Sequence, residues 1–336
     1  MNRFRLVRLE GLEQAVRRVA EHPGGRVFRA GGIDLLDRMK EGIDAPDELV
    51  ELQAVGGEHG QQMRGITASD DGGWRIGALV TLGQLAAFDD LPDAYAALQQ
   101  AASQAATPGI RNAATLGGNL LQRPRCWYYR HGELDCLKKG GDLCLAVGGD
   151  NRYHAIFGGG PSYIVHPSSL APALLALDAQ AVVLRGSKTS VMPLAELFAL
   201  PTVDPEREHT LGPGDVLLEL RLPPPVSGQR SSYVAAREKQ SHDWPLVEAA
   251  VRCSVVDGKL RDVRVALGQV APIPWRAQQA EDALEGRAPD AETFAAAARA
   301  ETAGAQPLEH NDYKIALVQG LVRHALHEAT STPLPE

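Results

Sequence analysis

TPGIRNAATLGGNLLQRPRCWYYRHGELDCLKKGGDLC, residues Thr107 to Cys144, holds a glycine turn and three of the chain's four cysteines in one run. Pro108-Gly109 stops the Ala-, Leu- and Gln-rich helix expected over Pro92 to Ala106. Thr115-Leu116-Gly117-Gly118-Asn119 then sets a hydroxyl and an amide beside two residues without Cβ, donor chemistry suited to a pyrophosphate or a polyol chain. The thiols that follow, Cys126-x9-Cys136-x7-Cys144, can converge on one metal centre. A phosphate-type turn joined to closely spaced thiols predicts two redox centres in one polypeptide, and so electron transfer rather than hydrolysis or binding alone.

A second glycine pair lies upstream. Arg26 to Ala30 reads as a strand, Gly31-Gly32 as a turn, and Asp34 to Lys40 as a helix. Backbone amides there can approach a phosphate while the helix N-terminus faces its charge. A GG pair alone equally describes a plain strand-to-helix turn. Neither turn matches GxGxxG, and no GxxxxGK[ST] occurs, so the Rossmann and P-loop fingerprints are missing.

Leu12, Val16 and Val19 share a helix face, and Pro46 to Leu52 reads as a strand closing a first lobe near residue 55. The second lobe begins with a hairpin over Asp70 to Ala78, turning at Asp71-Gly72-Gly73, and continues through strands at Ala179 to Leu184 and Val216 to Leu222. Pro223-Pro224-Pro225 with Ser227-Gly228 is the linker. Beyond it Val251, Cys253 and Val255 alternate with Arg252 and Ser254, and Asp257-Gly258 turns the chain into Leu260 to Leu267. Helices over Ala291 to Ala303 and Tyr313 to Glu328 finish it. The fold class is mixed α+β.

At 336 residues the chain can hold two domains, and a net charge of −8 argues against nucleic acid or an anionic membrane as its main partner. The N-terminus MNRFRLVRLEGLEQAVRRVA has no continuous apolar core of a secretory signal, and no apolar run reaches the length of a spanning helix. Three clustered cysteines and one apart are not a disulfide framework; metal ligation fits better. The expected compartment is the reducing cytoplasm, with the periplasm as the alternative if a signal-bearing partner carries the folded subunit out.

The pair AGGIDLL and IRNAATLGGN, followed by His166-Pro167-Ser168-Ser169-Leu170, GDVLLELRLP and the terminal hairpin, resembles the FAD-binding medium subunit of the molybdenum hydroxylases, the xanthine dehydrogenase and carbon monoxide dehydrogenase family. The resemblance covers nearly the whole chain. It implies a two-lobed FAD-binding domain of the vanillyl-alcohol-oxidase and CO dehydrogenase flavoprotein type over residues 1–223, with lobes at 1–55 and 56–223 and a cysteine-rich insertion at about 122–160. A C-terminal domain of sheet and helices over residues 229–330 follows. By resemblance, Arg29, Ala30, Gly31, Gly32, Ile33, Asp34 and Leu35 hold the FAD pyrophosphate, and Ala114, Thr115, Gly118 and Asn119 lie along the ribityl and flavin part. Ser169 stands where the family commonly has an acidic residue; its hydroxyl can still hydrogen-bond the cofactor, but carries no charge.

From spacing alone, the cysteine loop suits a structural zinc site or an iron–sulfur cluster, with unligated thiols close behind. Arg123, Arg125, Arg130, Lys138 and Lys139 are expected to favour thiolates. The loop, with its RCWYYR motif, resembles the insertion of the 4-hydroxybenzoyl-CoA reductase and periplasmic aldehyde oxidoreductase branches, which implies a [4Fe–4S] cluster on Cys126, Cys136 and Cys144. A fourth cysteine is missing from the loop. His154 can complete the set, or can belong to an ordinary strand over Tyr153 to Phe157. Cys253, in the alternating hairpin, is expected to fill the core.

Ser241, His242, Asp243 and Ser232 do not make a hydrolase, because no GxSxG elbow accompanies them. No proton-transferring catalytic side chain is expected in this chain. The resemblance implies an electron-transfer subunit, with molybdopterin in a large partner subunit and two [2Fe–2S] clusters in a small one. The rival readings are a self-contained FAD-dependent oxidase or dehydrogenase, and a non-enzymatic zinc-loop scaffold.

Overall fold

Three sheets follow one another along the chain in the computed structural model, which describes residues 1–239 and 242–332. Ser241 of the His242-Asp243 grouping lies outside the described residues.

The first sheet is parallel, in the order β1-β3-β2, from β1 (Arg5–Arg8), β2 (Arg26–Arg29) and β3 (Glu48–Glu51). The crossovers are α1 (Leu12–Ala20), which buries Leu12, Val16 and Val19 as its period predicts, and α2 (Ile33–Lys40). β1 lies in a stretch of alternating charge that gave no strand reading; pairing with β3 makes it a strand.

The second body begins with α3 (Gly57–Arg64) and the hairpin β4 (Ile66–Ala68) and β5 (Trp74–Gly77). Five short helices follow: α4 (Leu82–Ala86), α5 (Ala96–Gln104), α6 (Pro108–Arg111), α7 (Leu116–Leu120) and α8 (Trp127–Arg130). Pro108 does not merely end α5: with Thr107 as a side-chain cap it starts α6. Then come α9 (Leu170–Ala176), β6 (Gln180–Arg185), β7 (Lys188–Pro193) and β8 (Val216–Leu222), giving a sheet in the order β4-β5-β8-β6-β7. Every residue of α9 is buried, and this helix is the centre of the largest apolar core.

The third body is the antiparallel sheet β12-β11-β10-β9, built from β9 (Arg230–Arg237), β10 (Pro245–Val256), β11 (Lys259–Gly268) and β12 (Trp275–Arg276). Helices α10 (Gln278–Leu284), α11 (Ala291–Thr302) and α12 (Tyr313–Thr330) cover one face. Tyr233, Ala250 and Ala266 on the other face enter the core around α9, so the sheet is covered on both sides. The hairpin alternation therefore does not separate a dry face from a wet one. Cys253 is buried as expected, but so are Arg252 and Ser254, while Val255, past a register shift near the turn, is exposed. Arg252 is accommodated by Asp178 and Asp262, and Asp178 also meets Arg264 and Arg276.

Candidate functional site: two glycine turns on one cavity

A cavity of about 500 Å³ opens where the three bodies meet. Its size is in the range of small-molecule and cofactor sites. Arg29 through Leu35 line it, together with Ala114, Thr115, Gly118, Asn119 and Ser169, so every residue expected at the cofactor faces one space.

The first turn is shaped by β2, which runs parallel to β3 and delivers the chain to Gly31. Gly32 has φ 76°, a left-handed conformation that favours glycine, and caps α2 without any side-chain acceptor. The first-turn amides of α2 are thus left for a ligand, the arrangement that suits a phosphate. Gly31 meets the second turn directly: a Cβ there would fall 2.1 Å from the Ala113 carbonyl oxygen. Only a residue without a side chain lets the two turns touch.

The second turn hangs on the segment that follows β5. The amides of Leu116 and Gly117 donate to the carbonyls of Val80 and Ala78, and the Leu82 amide donates to Ala114. Thr115, buried, accepts from the Gly118 amide at 3.1 Å and so caps α7. Asn119 Oδ1 accepts from the Ser168 hydroxyl at 2.6 Å, which orients the side-chain amide and ties the turn to the start of α9. Ser169, next in the chain, stands on the cavity wall.

Asp34 has a different set of partners from the rest of the first turn. It pairs with Arg38, with Arg125 at 3.1 Å and with Arg130 at 2.6 Å, and accepts the Arg123 amide at 3.0 Å. Burial pushes its carboxyl up, but the three guanidiniums and the amide outweigh that and hold it below the usual carboxylate range. The cysteine loop is therefore fastened to the helix that follows the glycine turn. Arg123 and Lys138 meet at Glu208, each at 2.8 Å, and Arg130 also reaches Glu41. At Cys126 this corrects the expectation that the loop's cations favour the thiolate: they anchor the loop on carboxylates, and Lys139 donates to the His131 carbonyl. Cys126 is pushed up to about 11 by burial, with further increments from the neighbouring Cys144 and Cys136 charges.

Charges on Cys144 and Cys136 are felt at Cys126, so the three thiols share one region of the loop without closing on a single point. His154 lies beside the first of them, with Nε2 3.2 Å from Cys126 Sγ. It sits in irregular backbone, so the ordinary-strand alternative for Tyr153 to Phe157 does not hold. Burial, then the Lys314 charge, lowers His154 to about 4, leaving a neutral imidazole whose Nδ1 is buried without a partner. Trp127 packs edge-on against Tyr153 and His154. Among the described residues, no three His, Cys, Asp or Glu side chains are close enough to hold a single metal ion. Tetrahedral zinc at its ~2.3 Å thiolate distance would need a tighter set.

Sequence reasoning missed the apolar floor, Met63, Leu79 and Leu217, and the contribution of the third body, Arg237 and Trp244. Trp244 is half exposed, with the Arg125 guanidinium 4.9 Å over its ring. An exposed aromatic next to proline beyond a linker gives no local signal of a cavity wall.

Residues 2–225 match the family described as the FAD binding domain in molybdopterin dehydrogenase, and residues 231–329 match the CO dehydrogenase flavoprotein C-terminal domain. The chain is 35% identical over 314 residues to the aldehyde oxidoreductase FAD-binding subunit PaoB of Escherichia coli (strain K12), covering 92% of this chain and 93% of that protein. It is 26% identical over 305 residues to the carbon monoxide dehydrogenase medium chain of Hydrogenophaga pseudoflava, covering 89% and 88%. A solved carbon monoxide dehydrogenase from Hydrogenophaga pseudoflava, lacking the Mo-pyranopterin moiety of its molybdenum cofactor, matches with a TM-score of 0.76 at 24% identity over 98% of each chain, a likeness of fold. No described helix is long and apolar enough to cross a membrane.

Proposed function

The chain belongs to the family of FAD-binding subunits of the molybdopterin dehydrogenases, and from that premise we propose that it is the electron-transfer subunit of a molybdenum-containing hydroxylase or dehydrogenase. Electrons from partner iron–sulfur clusters pass through FAD in this chain to an external acceptor. The observation that carries the reading is the contact of Gly31 with Ala113, which joins two phosphate-competent turns around one cavity.

FAD supplies the exchange between one-electron and two-electron chemistry. The chain's own residues bind and orient. The uncapped start of α2 offers amide donors to the pyrophosphate, and Thr115, Gly118 and Asn119 offer a rigid polar wall to the ribityl and flavin portion. Met63, Leu79 and Leu217 exclude water beneath it. The partners in this proposal are a molybdopterin large subunit, where substrate is oxidised, and a small subunit with [2Fe–2S] clusters.

The proposal extends to a [4Fe–4S] cluster in the loop, held by Cys126, Cys136, Cys144 and His154. Its support is the spacing of three thiols within one loop and the neutral imidazole of His154 beside Cys126, since imidazole replaces thiolate in some iron–sulfur centres. Such a cluster calls for a reducing compartment, the cytoplasm, or for export after assembly.

An anaerobic visible spectrum of the purified chain before and after dithionite tests both parts. Flavin bands on a broad iron–sulfur absorption, both bleaching, is the expected result. Flavin bands alone would remove the cluster, and a colourless protein that takes up no FAD would overturn the whole reading.

A further inference from the structure

Behind Ser169 lies a carboxyl that the electron-transfer reading does not use. Glu248, on β10, is 0% exposed. Its Oε1 accepts from the Tyr233 hydroxyl at 2.7 Å, while Oε2 is buried without a partner; Ser169 and Gln269 face the carboxyl, and Gln269 Nε2 is likewise buried and unpartnered. The backbone makes room for it. Glu248 is opposite Gly268 in the sheet, and a Cβ on Gly268 would fall 2.1 Å from Glu248 Oε2.

The elements packed around Glu248 bring little charge to it. β9 contributes Tyr233 and Arg237; β11 ends in Gly268, with Gln269 just beyond it; α9 carries no ionisable residue; α5 contributes only Gln100, bonded to the Tyr233 amide, and Gln104, bonded to Arg237. On the far side of the sheet Lys314 donates to the Gln269 carbonyl. Among the described residues no cation forms an ion pair with Glu248; Arg237, which lines the cavity, is the nearest influence. A carboxylate buried without a cation is costly, so this group holds its proton to higher pH than an exposed carboxyl does. Burial brings this group up to about 7, where it changes charge in the physiological range.

We propose that Glu248 is a proton-holding carboxyl that serves the cofactor cavity through Ser169, taking a proton when negative charge enters the cavity and releasing it when that charge leaves. This rests on the FAD-subunit reading. Each electron pair comes from the partner iron–sulfur centres and leaves to the acceptor. One compensating proton goes to the cofactor and a second, from solvent by way of the cavity, to Glu248; both return on reoxidation. Glu248 acts through Ser169 and is a positioning residue for charge, not a catalytic one.

The test is the midpoint potential of FAD bound to the full chain, followed from pH 5.5 to 8.5 by spectroelectrochemistry. In the unaltered chain the slope against pH changes near neutrality, and Glu248→Gln removes that change. Tyr233→Phe removes a bond that stabilises the charged form and moves the break to higher pH. An unbroken slope in the unaltered chain, or a break that persists in Glu248→Gln, overturns the proposal. If Glu248→Gln does not fold, the position of the break in Tyr233→Phe decides. Infrared spectra of the FAD-free chain give an independent reading: a buried carboxylic-acid carbonyl band fades as pH rises through neutrality and is missing from Glu248→Gln. Failure to bind FAD would sink the subunit reading and leave that band intact; normal FAD binding without the break or the band would sink only this inference.

Discussion

Arg130 places a guanidinium nitrogen 2.6 Å from Asp34 Oδ1, joining the cysteine loop to the first turn of the helix that follows Gly31-Gly32. The pair is largely shielded from solvent, and it ties the order of the loop to the geometry of the turn. Whatever holds one in place favours the other, and the coupling is reciprocal.

Arg130 does not line the cavity, yet Arg130→Gln is expected to weaken FAD binding about tenfold, or ~1.4 kcal/mol, measured by equilibrium dialysis of the apo chain. Asp34→Ala leaves Arg38, Arg125 and Arg130 without their common carboxylate, a change of about 3–5 kcal/mol for a broken buried pair. The carboxyl is held below its ordinary 3.8, so its stabilising effect is present above 3.8 and lost as pH falls through the depressed value. Acid unfolding of the unaltered chain and of Asp34→Ala should converge below that range; parallel curves throughout would refute the clamp.

Gly31→Ala puts a methyl group against a backbone oxygen that no side-chain rotation can move. Strain of about 1–3 kcal/mol is expected, with the turns spread apart. FAD uptake, read from protein-bound flavin absorbance, should fall more steeply than thermal stability. Retention of full FAD by a folded Gly31→Ala chain would show that the contact does not set the cavity.

Serine at Cys126, Cys136 or Cys144 is expected to abolish iron and acid-labile sulfide while leaving FAD in place. His154→Ala should lower iron content in the same assay, because its neutral imidazole faces Cys126. Cys253→Ser is the control: buried in the third body's core, it should cost stability and leave iron unchanged. Equal iron in all five proteins would place the metal elsewhere.

Glu248 titrates in the opposite sense from Asp34. Its folded value is raised from 4.5 to about 7, so its contribution is fully present below 4.5 and is lost as pH rises through about 7. Urea midpoints of the unaltered chain should therefore fall relative to Glu248→Gln between pH 5 and 8, since all other groups are common to both. A constant difference across that range would mean that the carboxyl does not change charge there.

Much of the fold was legible because its signals are local. The period of Leu12, Val16 and Val19, the turn at Asp257-Gly258 and the glycine pairs are each set by a few neighbouring residues. β1 and β9 were not legible, because their alternation is weak and pairing supplies what propensity lacks. The strand expected around His154 fails for the converse reason: the segment is held by Asn311, whose side chain donates to the His154 and Ala155 carbonyls in place of a ladder. At the site, residue types pointed to the two turns and the thiols but not to what the charged residues do. Arg123, Arg125 and Arg130 beside cysteines look like thiolate partners until Asp34 and Glu208 come near in space.

By itself the sequence determined the glycine turns, the spacing of three thiols, the mixed helix-and-strand order and, through resemblance, the family. Those properties reside in chemical identity and short-range backbone preference, which a chain carries before it folds. Tertiary structure alone decided that Gly31 rests against Ala113, that the loop's cations fasten it to Asp34, that Trp244 and Arg237 complete the cavity, and that Glu248 sits behind Ser169 without a cation. Each of these is a meeting of distant segments, set by how three sheets bury their faces against one another, and no local pattern encodes such a distance.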